Sequence, residues 1–153
     1  MSATEGYSGG CQCGAIRFHV SGALGKASIC HCRMCQKAFG NWGAALVAAP
    51  LTQFSWTRGK PSEFRSSPIV ARGFCAQCGT PLYMLEDGFE IIELAIGALD
   101  QPNDIGPLQH QVGVESRLTW FSTMHLLAER TTSEDRSPED LAKLRSLQHP
   151  DHD

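Results

Sequence analysis

Apolar and polar residues alternate directly after the first cysteines of the chain. Ile16, Phe18 and Val20 are separated by Arg17 and His19, which is the period expected of a half-buried strand. His19 is therefore expected on the solvent face. Other segments rich in apolar or β-forming residues, separated by Gly, Pro or Ser, are 44–49, 54–57, 82–85, 90–96 and, as a further candidate strand, 117–122. Short strands with turn residues between them predict a mainly β protein of antiparallel strands.

The pattern changes near the C-terminus. Ser137 and Pro138, followed by two acidic residues, are typical of a helix start, because they supply a side-chain cap, a proline in the first turn and negative charge at the positive end of the helix dipole. The apolar stripe that follows at helical spacing consists of Leu141, Leu144 and Leu147. We expect this stripe to dock on the domain or on a second subunit, as in a homodimer. The residues from His149 onward are expected to fray.

The composition indicates one soluble domain. The chain has 153 residues, 42% of them hydrophobic, which is enough for a packed core. A formal net charge of −3 without a basic stripe argues against a nucleic-acid-binding surface. No apolar run is long enough to cross a bilayer, and residues 1–10 are small and polar rather than a targeting segment. The expected location is the cytoplasm, where thiols stay reduced.

The chemistry-bearing residues are cysteines. The seven cysteines form three groups, which are Cys11 and Cys13, Cys30, Cys32 and Cys35, and Cys75 and Cys78. Four thiolates close the shell of a structural zinc ion, whereas three leave a coordination position open, as in catalytic sites. The middle group already holds three ligands, so the first pair is expected to combine with the last. The sequence therefore predicts two zinc ions, one structural and one catalytic and more labile.

The spacing within each group predicts its local geometry. Residues i and i+2 of a strand share a face, so Cys11 and Cys13 can present both sulfurs from a strand. The pair Cys75 and Cys78 needs a tight turn instead, and Gly79 can take the positive φ that ends one. His31 lies between two ligands, and its side chain is expected to point away from them, either supporting the site or exposed to solvent.

Two other uses of the cysteines compete with zinc. A disulfide framework fits poorly, because the number of cysteines is odd, no signal peptide precedes them and adjacent Cys-x-Cys pairs are strained as bridges. An iron–sulfur cluster would also accept three or four thiolates. The usual ferredoxin runs, however, space their cysteines differently, so zinc is the assignment that the spacing favours.

Read together, the cysteine motifs and their neighbours resemble the glutathione-dependent formaldehyde-activating enzyme family. The segments that carry the resemblance are 11–18, 30–40 and 74–82, within a stretch from Gly9 to about Trp120. The resemblance implies a β-tent fold of the Mss4-like type, with short antiparallel strands around zinc knuckles and, from the pattern above, a short C-terminal helix. The expected organisation is a flexible N-terminus at 1–8, the zinc-binding family domain at 9–130, and a C-terminal helix with its tail at 131–153.

The resemblance also implies a function. Cys11, Cys13, Cys75 and Cys78 would hold the structural ion, and Cys30, Cys32 and Cys35 the catalytic one. The implied enzyme is a carbon–sulfur lyase similar to S-(hydroxymethyl)glutathione synthase, which joins glutathione or another small thiol to formaldehyde or a related aldehyde or electrophile. A zinc ion bound by three thiolates suits this reaction, because it keeps a substrate thiol deprotonated.

Candidate substrate contacts flank the middle group of cysteines. Because glutathione carries two carboxylates, cationic side chains are expected near the open position. Arg33 and Lys37 lie beside the three cysteines, and Lys37 matches the family motif. Phe39 and Trp42 are candidates for the walls of the site. The groups that could transfer protons are Glu63, Glu86 and Asp87, and the sequence does not select among them.

The chain departs from the family pattern in one late segment. Many members carry His, an apolar residue and an aromatic residue shortly before a Ser-basic dipeptide, which is Ser116–Arg117 here, whereas this chain has Gln111, Val112 and Gly113. The substrate contact of that loop therefore stays open. The alternative function is a zinc-stabilised binding module without activity, in which a fourth protein ligand such as His31 closes the three-cysteine site.

Overall fold

The computed structural model describes residues 6–152, and within this range ten strands form two sheets. The smaller sheet has the order β1 (Tyr7–Gly10), β2 (Arg17–Val20) and β5 (Phe54–Arg58). The larger sheet contains β3 (Ala27–Cys30), β4 (Ala44–Pro50), β6 (Ser62–Arg65), β7 (Val70–Phe74), β8 (Pro81–Glu86), β9 (Ile91–Ala95) and β10 (His110–Val112). Its order is β10-β3-β4-β9-β8-β7-β6. Residues 1–5 of the predicted flexible N-terminus and Asp153 of the tail lie outside the described residues.

Helices are few and short. The α-helices in the described range are α1 (Arg33–Phe39), α2 (Thr132–Asp135) and α3 (Pro138–Lys143). Short 3₁₀ helices occupy Leu51–Gln53, Ile96–Ala98, Pro102–Ile105, Val114–Ser116 and Thr119–Leu126. The prediction of a mainly β, β-tent-like protein with a short C-terminal helix is thus confirmed. None of the described helices is long and apolar enough to cross a membrane.

Most of the predicted strands are present, with two departures. The segment 117–122 is wrong as a strand, because it pairs with no other strand and lies mostly in the 3₁₀ helix Thr119–Leu126. There Phe121 packs edge-on against His31, with ring centroids 4.6 Å apart, so side-chain packing overrides strand preference. The second departure is that β10 pairs with β3 in parallel, although the other strand pairs are antiparallel.

The main hydrophobic core contains side chains from both sheets. Phe18, from the smaller sheet, is fully buried, and its ring lies edge-on to Trp56 with centroids 6.1 Å apart. Leu82 and Leu94, from the larger sheet, are fully buried in the same cluster. A second, smaller cluster consists of Cys35, Ala44 and Leu46, with Cys30, Cys32, Phe39 and Met84 packed against it. The second cluster packs Cys35 of α1 against Ala44 and Leu46 of β4.

Buried polar contacts tie the smaller sheet to the rest of the molecule. Arg17 donates two hydrogen bonds to the carboxylate of Asp100, at 2.8 and 2.5 Å, and its side chain is 3% exposed. Asp100 follows the 3₁₀ helix after β9, so the ion pair joins β2 to the end of the larger sheet's β9. His19 is half-buried, whereas the other residues of β2 are buried, and its Nδ1 lies 3.0 Å from Ser8 Oγ.

In the C-terminal region the predicted helix start is confirmed, whereas the predicted packing is not. Ser137 Oγ accepts a hydrogen bond from the backbone N–H of Asp140 at 3.1 Å, as the cap predicts. The side chains of Leu144 and Leu147 are 50% and 89% exposed, so docking of the stripe on the domain is wrong, and docking on a second subunit stays a prediction. His149 is not frayed, because its backbone N–H donates to Gln12 O at 2.8 Å.

Candidate metal centres

Four cysteines from distant parts of the chain meet at one point. The ligand atoms of Cys11, Cys13, Cys75 and Cys78 all lie within 4.8 Å of one another. The Sγ atom of Cys13 is 3.6 Å from that of Cys11 and 3.8 Å from that of Cys75. Four sulfurs at this separation fit a tetrahedral structural zinc ion. The grouping of the first pair with the last is the one expected from the spacing.

The backbone presents these sulfurs from two turns. Cys75 and Cys78 lie in the turn between β7 and β8, where Gly79 has φ +79° and its N–H donates to Cys75 O at 2.8 Å, as predicted. Cys11 and Cys13 were expected in a strand, and this is wrong, because they lie in a turn closed by Gly14. In that turn the N–H of Ile16 donates to Cys11 Sγ at 3.3 Å, which orients the sulfur toward its partners. The two turns join the smaller sheet to the larger one.

The second group of cysteines lies where β3 passes into α1. Cys30 ends β3, Cys32 is the N-cap of α1 and accepts from the N–H of Cys35 at 3.4 Å, and Cys35 is buried in the first turn of the helix. Their ligand atoms lie within 4.8 Å of one another. Within residues 6–152, no fourth His, Cys, Asp or Glu atom joins this group. The donor set fits a zinc ion, and these three thiols supply three of the four ligands of a tetrahedral shell.

His31 lies between two of these cysteines in the chain, and its side chain is held inside the protein. It is fully buried, and its Nε2 lies 2.9 Å from Oε1 of Gln111 on β10. The exposed alternative for His31 is therefore wrong, and its atoms do not join the ligand group. Gln111 also accepts from Arg117 Nη1 at 3.2 Å. A Cβ on Gly113 would lie 2.8 Å from the backbone N of Cys32, so the end of β10 needs glycine to approach the cluster.

The sequence reasoning missed two charged residues in apolar strands. Arg72 on β7 is 6% exposed, and its Nη2 donates to Cys35 Sγ at 3.5 Å. Glu93 lies on β9. Met84, on the strand β8 between β7 and β9, is paired with Arg72 on one side and with Glu93 on the other. Each is a single charged residue inside an otherwise apolar strand, and this pattern in the sequence could have identified Arg72 and Glu93. The register sets Arg72 and Glu93 on one face of the sheet.

Unpartnered buried atoms concentrate around this centre. In the part of the chain that the structure describes, the buried side-chain nitrogen and oxygen atoms without a hydrogen-bond partner are His31 Nδ1, Arg72 Nη1 and Glu93 Oε2. Burial, with the negative charge of Cys30, raises the pKa of the Glu93 carboxyl. Of the candidate proton-transfer groups, Glu63 accepts from Tyr83 OH at 2.8 Å, and Asp87 pairs with Arg65.

The thiols of the second centre differ in acidity. Hydrogen bonding with Cys35, assisted by Cys32 and by the positive charge of Arg72, lowers the pKa of Cys30. The same interaction with Cys30, together with burial, raises the pKa of Cys35. The cluster thus favours a thiolate on Cys30, and a thiolate is the form that binds a metal ion.

A cavity of about 470 Å³ opens beside the second centre. Its lining residues are Arg33, Met34, Lys37, Ala38, Phe64, Ser66 and Arg72. Two of the three predicted substrate contacts, Arg33 and Lys37, are therefore in its wall. Phe39 is not; it packs against both hydrophobic clusters and lines an adjacent cavity of about 280 Å³ that also contains Arg72. Trp42 lines a third cavity, whose wall also contains Arg33 and Lys37.

Comparison with known proteins gives one family and two relatives. Residues 6–113 match the sequence model of the family described as glutathione-dependent formaldehyde-activating enzyme. An uncharacterized lyase of Schizosaccharomyces pombe is 35% identical over 85 residues, which is 50% of this chain and 56% of that protein. The match thus spans little more than half of that protein's length. A Rhodobacter sphaeroides protein of known crystal structure has a TM-score of 0.56 at 23% identity, over 69% of this chain and 99% of that one. The likeness to the second relative supports the fold alone.

Proposed function

We propose, from the premise that this chain belongs to the glutathione-dependent formaldehyde-activating enzyme family, that it is a zinc-dependent carbon–sulfur lyase. The proposed substrates are a small thiol, glutathione by default, and formaldehyde or a related aldehyde or electrophile. In the addition, the thiol loses its proton, its sulfur bonds to the aldehyde carbon, and the former carbonyl oxygen gains a proton. With the default pair the product is S-hydroxymethylglutathione, and the reverse reaction breaks the same carbon–sulfur bond.

The observation that carries this proposal is the three-ligand centre beside a cationic cavity. Cys30, Cys32 and Cys35 gather their sulfurs within 4.8 Å, and no fourth ligand atom joins them among residues 6–152. A zinc ion held there would keep an added substrate thiol in its nucleophilic thiolate form. A closed shell, as in a binding module, would need one more protein ligand, and buried His31 is held by Gln111 instead.

The residues of the chain have separate tasks in this proposal. Arg72 places its guanidinium on Cys35 Sγ at 3.5 Å, and its positive charge stabilises the negative charge of three thiolates. Arg33 and Lys37, in the wall of the cavity, are proposed to bind the substrate's carboxylates. Holding thiol and aldehyde in one cavity turns a bimolecular encounter into a positioned one.

The first centre is proposed to have a structural role. The turns that carry Cys11 and Cys13, and Cys75 and Cys78, belong to different sheets, so a shared ion would hold the sheets together. Both centres consist of free thiols, which persist where the surroundings are reducing. We therefore propose a cytoplasmic setting for the activity.

The test follows thiol–aldehyde exchange by NMR, with and without zinc-loaded protein, over several thiols and aldehydes. We expect faster exchange for at least one pair, and loss of the enhancement in Cys32→Ser with the first centre still loaded. Lys143→Met, a change on the exposed helix α3, is the control that should keep the activity. No enhancement for any pair, with two zinc ions per chain confirmed by elemental analysis, would favour the binding module. Stoichiometric iron without zinc would overturn the metal assignment.

A further inference from the structure

The C-terminal end of the described chain is anchored at His149. Residues 142–148 and 150–152 are exposed, whereas His149 between them is half-buried. The last residues of a domain are usually poorly ordered unless a specific contact ties them down. Here the backbone N–H of His149 donates to Gln12 O at 2.8 Å. We refer to residues 148–152 as the C-terminal strap.

The strap lies against the turn that carries the first two cysteines. This turn spans residues 11–14 and is closed by a hydrogen bond from the N–H of Gly14 to Cys11 O at 3.0 Å. A Cβ on Gly14 would lie 2.2 Å from Cδ2 of His149. The imidazole of His149 therefore occupies the space that a side chain at position 14 would need.

Arg58 on β5 joins the same contact. Its Nη1 donates to Gly14 O at 3.0 Å and lies 3.4 Å from His149 Nε2. Nδ1 of the same imidazole lies 2.7 Å from Pro150 O, which places the ring proton on Nδ1 and leaves Nε2 as an acceptor for Arg58. The turn is thus held by the backbone of the strap, by the ring of His149 and by the guanidinium of Arg58.

The remainder of the strap borders open space. A cavity of about 240 Å³ is lined by strap residues 148–151 together with residues that include 10–12 and 97–100. A second cavity, of about 530 Å³, is lined by strap residues 151–152 together with residues that include 6–8 and 99–101. A segment that borders cavities makes few packing contacts and opens more easily than the sheets do.

The turn under the strap contains the most accessible ligand of the first centre. Among its four thiols, Cys13 is exposed, whereas Cys11 and Cys75 are buried. A metal ion leaves a closed four-thiolate shell only after one thiolate has moved away from it. Cys13 is the thiolate that a chelator reaches first, and it moves with the turn that the strap holds.

We propose that the C-terminal strap is a latch on the first metal centre, in which His149 locks the cysteine turn and slows the release of the metal ion. When the strap is attached, the turn stays closed around the ion. When the strap detaches, the turn opens locally and Cys13 leaves the ion more often. The inference concerns metal retention and is independent of the proposed reaction, since it depends only on zinc in the first centre.

The test follows zinc release from the loaded protein after addition of excess chelator and a chromogenic zinc indicator. Release should have two phases, and Cys32→Ser, which opens the second centre, should keep only the slow phase and so identify it with the first centre. His149→Ala should accelerate the slow phase at least about fivefold, the factor that one net hydrogen bond is worth, and leave the fast phase unchanged. Deletion of residues 148–153 should accelerate the slow phase at least as much. His125→Ala removes an exposed histidine outside the strap and should change neither phase.

Two results of this experiment would overturn the inference. One is a slow phase that His149→Ala leaves unchanged. The other is equal acceleration of both phases, which would report a general loss of stability instead of a latch. His149→Ala keeps the full length of the chain, so its result decides the question even where the deletion variant folds poorly.

Hydrogen exchange supplies a readout without a chelator. The amide of Gly14 donates within the cysteine turn, so its exchange rate in the zinc-loaded protein reports the opening of that turn. In His149→Ala this amide should exchange faster, whereas the amides of β8 should keep their rates. Equal protection of the Gly14 amide in the variant and the unaltered protein would contradict the latch, even if the protein accelerated thiol–aldehyde exchange.

Discussion

Replacing one cysteine of each centre by serine should separate their contributions to stability. Cys78→Ser opens the four-cysteine centre that joins the turns of two different sheets. Cys35→Ser opens the three-cysteine centre, whose ligands lie within the β3–α1 connection. We expect the first variant to be largely unfolded at 37 °C and the second to stay folded with a lower free energy of unfolding.

The magnitude follows from the lengths of chain that each centre closes. Cys13 and Cys75 are 62 positions apart, whereas all ligands of the second centre lie within 30–35. Loop-closure entropy grows as three halves of RT times the logarithm of loop length, so this term alone favours the first centre by about 2.2 kcal/mol. Binding of a structural zinc ion contributes on the order of 10 kcal/mol to folding, which is comparable with the whole stability of a domain.

The second centre has other support. The side chain of Gln36 in α1 donates to His31 O and Ser116 O at 2.6 and 2.9 Å, so the helix stays anchored when its metal ion is lost. Placing a hydroxyl at the buried position of Cys35 costs about 1–3 kcal/mol. Cys35→Ser should therefore lose no more than a few kcal/mol.

Urea unfolding followed by circular dichroism, in reducing buffer with zinc supplied, measures both variants. Elemental analysis should find one zinc ion per chain in Cys35→Ser. The chemical change is the same in the two variants, so each is the control of the other. Equal shifts of the unfolding midpoint would refute the assignment of structural and catalytic roles to the two centres.

Three further predictions address single contacts. Asp100→Asn removes the acceptor of a buried ion pair with Arg17 and should lower the free energy of unfolding by about 3–5 kcal/mol, whereas Asp87→Asn, in an exposed pair, should cost less than about 1 kcal/mol in the same urea titration. The raised pKa of Glu93 means that its contribution is most favourable below its unfolded pKa and is lost as pH rises through the folded value. Glu93→Gln should therefore melt higher than the unaltered protein at pH 8, with the gap narrowing toward pH 5, and a gap that is constant with pH would contradict this. Gln111→Ala leaves Nε2 of buried His31 without its acceptor and should cost about 1–3 kcal/mol in urea unfolding, while Gln111→Glu, which keeps an acceptor, should recover most of it.

Local sequence patterns were enough to predict a large part of the fold. The alternation at 16–20 corresponds to β2, and Ser137 with Pro138 begins α3 where the cap predicted. The spacing Cys-x-x-Cys before Gly79 corresponds to a tight turn with positive φ. Each of these features depends on residues within a few positions of one another, so the backbone preferences of the local sequence are enough to specify it.

The sequence by itself also determined how the seven thiols divide, because the middle group holds three ligands within six residues and leaves two pairs to complete each other. What surrounds the thiols was decided only by the tertiary structure. Arg72 and Glu93 lie far along the chain from Cys30, and they reach the second centre because β9 lies between β4 and β8 in the sheet. His31 is buried because Gln111 and Phe121 cover it from a later segment. The order and register of strands depend on how whole sheets pack, and no local periodicity encodes which distant strands become neighbours.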